Sequence, residues 1–173
     1  MEKKTPVIEE GVFIAPGAFI AGDVHIRKGA SIWPSASIRG DMAHVEIGEN
    51  TSIQDNVTIH TNNNGPAYVG SNVTVGHNAI IHASTVRDNC IIGMGAIILD
   101  GAEIGEGTIV GAGAVVTPGT KIPPNSLVLG IPAKVVKQDD FSKVIADNAR
   151  EYVELMKRHM AGEFGYIIGG REE

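Results

Sequence analysis

Three of the six histidines in the sequence, His60, His77 and His82, fall in one stretch, VTIHTNNNGPAYVGSNVTVGHNAIIH, from Val57 to His82. Three neutral imidazoles brought together form a donor set for a divalent transition metal and leave coordination positions open, as a catalytic zinc site requires. Zinc, iron(II) and cobalt(II) all suit such ligands, and availability decides between them. Whether the rings can meet depends on the backbone that carries them.

That backbone is repetitive. An aliphatic residue recurs every six positions as Ile8, Ile14, Ile20, Ile26, Ile32 and Ile38, then re-phases as Ile47, Ile53 and Ile59. After a polar insertion, Thr61 to Ala67, the series continues as Val69, Val75 and Ile81. One five-residue step leads to Val86, followed by Ile92, Ile98, Ile104, Val110, Val116, Ile122 and Val128. Ala30, Ala36, Ala79, Ala96, Ala102 and Ala114 each sit four places after one of these aliphatics. A period of six fits neither a helix nor a lone alternating strand. It is the period of a parallel β-helix, in which each hexad makes a short strand and a corner, and three hexads close one triangular coil. About twenty steps give about seven coils. The aliphatic points inward, while Gly, Asn and Asp supply corners that need unusual backbone angles. The 22 glycines and the 5% aromatic content suit a narrow core of small aliphatics.

The segment GIPAKVVK, Gly130 to Lys137, ends the coil path at Pro132. A helix is expected from about Asp139 to Met160, with a mostly apolar face of Phe141, Val144, Ile145, Asn148, Tyr152, Leu155, Met156 and Met160. Asp139 and Asp140 suit its positive end, and Lys157, Arg158 and His159 its negative end. That face is expected to pack on a prism, the chain's own or a neighbour's. The organisation is thus an all-β repeat unit over 1–137 and a helix with a loosely ordered tail, GYIIGGREE, over 138–173.

Counting one prism face per aliphatic step places the polar residues. With Ile59 on face A, Val69 falls on B, Val75 on C and Ile81 on A again. His60 and His82 follow inward residues, so both point outward, stacked one coil or about 4.8 Å apart. His77 lies near the end of face C, whose outward direction differs by about 120° in a triangular coil. One chain alone therefore does not readily close the three-histidine set, whereas a threefold assembly brings face C of one subunit against face A of the next. Counting backward stacks Arg39 on His60 and Asp55 on His77. Arg39 and Asp55 then face each other across the subunit boundary as an ion pair, with Gln54 pointing outward beside them.

Other features narrow the function. The net charge of −6 comes with no basic cluster, which argues against nucleic acid or an anionic membrane as partner. Cys90 is the single cysteine, which fits a reducing compartment. No stretch reads as a signal h-region or membrane span, so a cytoplasmic protein is expected. His25, His44 and His159 read as outward polar side chains, Cys90 as packing, and Trp33 carries no assigned role.

The segments IRGDM (Ile38 to Met42), IQDNVTIH (Ile53 to His60) and VGHNAIIH (Val75 to His82) resemble the γ-class carbonic anhydrase family. The resemblance covers the repeat and extends to the C-terminal helix. It implies a left-handed β-helix homotrimer with one metal site per interface, His60 and His82 from one subunit and His77 from its neighbour. Arg39, Asp41, Gln54 and Asp55 match polar positions around the family's metal. The chain departs from the archaeal members in its loop, Thr61 to Pro66, which lacks their proton-shuttling glutamate. Met42 also replaces a glutamate, and Ser52 stands where asparagine is common.

The implied reaction is reversible hydration of carbon dioxide to bicarbonate by a metal-bound hydroxide at the trimer interface. Gln54 is the expected orienter of hydroxide or bicarbonate, and Arg39 and Asp55 hold the interface. Two alternatives share the coil. A CoA-dependent hexapeptide acyltransferase uses one histidine as base and has no need of three. A non-catalytic metal-binding accessory subunit would use the same trimer.

Overall fold

Between Ile26 and Val128 every member of the six-residue series is buried, none more than 6% exposed. The alanines four places on, from Ala30 to Ala114, fill the gaps between them and are buried too. A computed structural model describes residues 4–168 and 171–172. In it the chain winds as a left-handed parallel β-helix of about seven turns, closed by one C-terminal helix.

Three vertical ladders make the prism. Face A stacks the starts of Phe19–Ile26 and Ser37–Ile47 on Thr58–His60, Ile80–His82, Ile97–Ile98 and Val115–Val116. Face B runs from Val7–Ile8 through the ends of those two long strands to Ala67–Val69, Thr85–Val86, Glu103–Ile104 and Lys121–Ile122. Face C stacks Phe13–Ile14, Ser31–Ile32, Ser52–Ile53, Thr74–Val75, Ile91–Ile92, Ile109–Val110 and Ser126–Leu129. Lys134–Gln138 then folds back antiparallel on the last of these, with Pro132 in the turn. The nine-residue gap between Ile38 and Ile47 is one continuous strand rounding the A/B corner. There the backbones approach so closely that a Cβ on Gly40 would stand 2.2 Å from the Asp23 carbonyl oxygen.

The corners use left-handed backbone, which costs glycine least and asparagine little. Asn50, Asn56, Asn72, Asn78, Asn89 and Asn125 all take it, with φ between 54° and 60°. Aspartate, expected in the same role, takes it at none of the described corners; Ser35 and Ala83 do. Aspartates serve the corners as acceptors instead, as where Asp88 Oδ1 receives the Ser71 N–H at 2.8 Å. Ala83, at φ 43°, marks the five-residue step, where the missing residue forces a tighter turn directly after His82.

The helix begins at Ser142, not Asp139, and ends at Met160. Asp140 accepts the Ser142 N–H at 2.9 Å, so the two aspartates precede the first turn. The buried stripe is Ile145, Ala149 and Met156, with Val144 and Met160 more than half exposed at its margins. It packs on face C of its own prism, against Ser31–Ile32 and Ser52–Ile53. Trp33 is the anchor: its indole N–H donates to the Ser31 and Ser52 hydroxyls at 3.0 and 2.9 Å. Its ring meets Tyr152 and His159, with centroids 6.3 and 5.1 Å away. His159 also lies against Phe13 and Phe164 and is therefore an aromatic packing residue, not the outward polar side chain expected. Part of the tail is a hairpin, Ile167–Ile168 pairing with Arg171–Glu172; Gly169, Gly170 and Glu173 lie outside the described residues. Among the described residues no helix is long and apolar enough to cross a membrane.

Candidate metal centre

His60 and His82 are direct ladder partners on face A. Strand alternation turns both outward, and their ring centroids are 5.3 Å apart at an interplanar angle of 57°. Each ring is held by a carboxylate. Asp41 Oδ1 contacts His60 Nε2 at 2.9 Å, and Asp100 Oδ1 contacts His82 Nδ1 at 2.5 Å. His60 Nδ1 and His82 Nε2 are left without a partner among the described residues.

Asp41 also accepts from the Arg39 guanidinium. The hydrogen bond from His60 and the charge of Arg39 outweigh burial and hold its carboxyl below the usual aspartate value. Gly40, between them, lets the strand round the corner and so aims both side chains.

His77 belongs to another face. It follows Thr74–Val75 on the face C ladder, and its Nδ1 lies 3.0 Å from Asp55 Oδ2. Gln54 fixes this turn, its Oε1 accepting the His77 backbone N–H at 3.1 Å. Gln54, expected to point outward beside Arg39 and Asp55, is only 2% exposed. The C-terminal helix covers this coil and brings Tyr152 toward it, and burial pushes the Tyr152 phenol above its ordinary pKa. Arg39, placed opposite a neighbour's Asp55 by the sequence reading, is paired within the chain to Asp41.

Among the described residues, no three His, Cys, Asp or Glu side chains of one chain form a metal-holding group. The physical reason is the divergence of faces A and C. The donor chemistry nevertheless fits a metal: two stacked imidazoles each offer one nitrogen, with the other oriented by a carboxylate, the usual support of a histidine ligand. His77, with Asp55 beside it, presents the same pairing on face C.

Asp100 escaped the sequence reading. It stands just past Ile97–Ile98 on the next coil, where no histidine or family motif marks it. It also accepts from Asn62 Nδ2 at 2.6 Å, and the hydrogen bonds from His82 and Asn62 hold its pKa below the ordinary value against burial. Asn62 organises the insertion, its Oδ1 receiving the Asn64 N–H at 2.8 Å. Thr61 is fully buried, its hydroxyl accepting from Ala43 N at 3.0 Å.

The other expected residues lie elsewhere. His25 and His44 are outward on face B within a carboxylate network. Cys90 is fully buried in the core, where burial pushes its thiol up to about 12.

The family model described as bacterial transferase hexapeptide (six repeats) matches residues 5–40 and 84–118, and the hexapeptide repeat of succinyl-transferase matches 66–100. A carbonic anhydrase of Geobacillus kaustophilus is 51% identical, over 87% of this chain and 84% of its own length. The mitochondrial gamma carbonic anhydrase 2 of Arabidopsis thaliana is 41% identical over 90% of this chain, which spans only 59% of that plant protein. The solved structure of a hexapeptide transferase family protein from Anaplasma phagocytophilum superposes with a TM-score of 0.85 at 38% identity, covering 89% of this chain and 92% of that one. With half its residues shared along most of a carbonic anhydrase and the same coil beneath them, the chain belongs to the γ-class carbonic anhydrase family.

Proposed function

We propose that this chain is a carbonic anhydrase, hydrating carbon dioxide reversibly to bicarbonate at metal sites shared between subunits of a homotrimer. The observation that carries the proposal is the register of His60 on His82 on face A, with His77 displaced to face C. The named activity of the Geobacillus kaustophilus relative supports it. In this reading His60 and His82 of one subunit and His77 of the next hold zinc, with iron(II) and cobalt(II) as substitutes. The metal supplies a Lewis-acidic centre that lowers the pKa of a bound water to about 7.

The chain's own residues do the rest. Asp41 orients His60, and Arg39 secures Asp41 while reaching toward the neighbour's face C. Asp55 orients His77 and presents a carboxylate to that boundary. Gln54 sets the turn that carries His77, its Oε1 holding the His77 backbone N–H beneath the C-terminal helix. A reducing, cytoplasmic setting belongs to this reading, since the one cysteine is a buried thiol.

The test is metal analysis of protein purified without oxygen, with carbon dioxide hydration assayed on the same sample. Stoichiometric metal with hydration is expected; a fully metallated trimer with no hydration would sink the activity. A second reading, acyl transfer from coenzyme A, draws on the transferase-family structure with the same coil. Saturable coenzyme A binding by a metal-free sample would favour it.

A further inference from the structure

Asp100 touches two parts of the molecule that the sequence keeps apart. One carboxylate oxygen, Oδ1, is 2.5 Å from His82 Nδ1, and the other, Oδ2, takes the Asn62 amide at 2.6 Å. An ionised carboxylate can only accept, so the nitrogen facing it must carry the proton. In the neutral ring this is the tautomer with hydrogen on Nδ1 and an unshared pair on Nε2. The same Asn62 receives the Asn64 N–H and forms the bridge to Gly65 that closes the insertion loop. Ala83, in left-handed backbone, donates its N–H to the His60 carbonyl at 2.9 Å, so the chain beyond the ring is also pinned.

We propose that Asp100 is the positioning residue of His82: it fixes the ring and its tautomer so that Nε2 is free for the metal, and through Asn62 it latches the 61–66 loop to the same ring. The metal half of this inference rests on the reading of His82 as a ligand; the tautomer half does not. Asp100 touches no reacting atom in this account. It acts through His82, as Asp41 acts through His60, but it comes from the following coil and is the only one of these carboxylates tied to the loop.

Two measurements test it. The first is the long-range proton–nitrogen correlation of the His82 ring in the metal-free trimer, with the second the affinity for zinc alone in competition with a chromophoric chelator. The wild-type ring is expected as the Nδ1–H tautomer. Asp100→Ala should return it to the mixture of a free imidazole and weaken zinc binding about 10- to 100-fold. Asp100→Asn should restore most of both, because the amide oxygen still accepts. Asn62→Ala should keep the tautomer while speeding proteolytic cleavage of the loop. A neutral wild-type ring that carries its proton on Nε2 instead of Nδ1 overturns the proposal without any variant. So does an Asp100→Ala trimer with unchanged tautomer and zinc affinity. Normal zinc affinity and tautomer with no carbon dioxide hydration would instead sink the proposed activity and leave Asp100 standing.

Discussion

At the scale of single residues, the clearest pH dependence lies away from the candidate metal centre, at His44. Burial lowers its pKa, but contacts from Asp23 at 2.8 Å and Glu46 at 3.1 Å outweigh this and hold it above the ordinary value. Lys4 in turn faces Asp23, Arg27 and His25 face Glu46, and the Tyr68 ring lies 6.3 Å off. A raised folded-state pKa stabilises fully below the unfolded value of about 6.5, and the gain disappears as pH climbs through the folded value. His44→Ala should therefore lower the melting temperature at pH 6 and do so much less at pH 9. With the ring about a third exposed, solvent screening keeps the effect to about 1 kcal/mol or less. An equal deficit at both pH values would remove the charge argument. Residues of this kind divide sharply in legibility. His60, His77 and His82 declare themselves by type and phase. Asp100 does not, because its role comes from a corner shortened by one residue and from a loop outside the repeat.

Among elements, the A/B corner is unforgiving. Gly40 sits where any Cβ would collide with the backbone of Asp23, its carbonyl carbon at 2.7 Å as well as its oxygen. A Cβ on Gly22, on the coil before, would stand 2.5 Å from the Gly40 carbonyl oxygen. Gly40→Ala should cost about 1–3 kcal/mol as an overpacked site, read as a lower urea midpoint at unchanged slope. It should also loosen Asp41 from His60; an undiminished midpoint would mean the corner relaxes freely. The insertion loop makes a second element-scale prediction. Thr61 to Pro66 carries no carboxylate, so hydration should be limited by proton export and accelerate with buffer concentration. Fast turnover indifferent to buffer would identify a proton acceptor elsewhere. The strands were legible because an inward aliphatic must return every hexad. The helix was legible as a helix, but the face it covers was not. That choice depends on Trp33 and on a paired-serine cradle formed by two different coils, and it is why Gln54 lies covered.

For the whole molecule, the decisive consequence of the proposed assembly is that one site would span two chains. Consider a His77→Ala chain co-expressed with a chain carrying His60→Ala and His82→Ala, each metal-poor alone. In a closed, one-directional threefold ring, either mixed composition contains one step at which the first chain's stacked pair meets the second chain's His77. Metal and hydration should return at about one site per mixed trimer. Verified mixed trimers without metal, beside a metallated wild type, would refute the shared site.

The coil also behaves as a dial. Each hexad advances the chain by about 120°, so six residues inserted anywhere between His60 and His77 within the ladders would turn His77, and everything after it, onto the next face. The hydrophobic phase would survive such a change, because every aliphatic still points inward, and the solenoid would fold with its histidines facing the wrong neighbours. Only additions of a whole coil, about eighteen residues, return the dial to its setting, and one placed between His60 and His82 would still separate the stacked pair. The turn from Asn62 to Gly65 is exempt, since it projects outside the ladders. Length variation near the site should therefore collect in that turn, where the chain can grow without changing which way any ligand points.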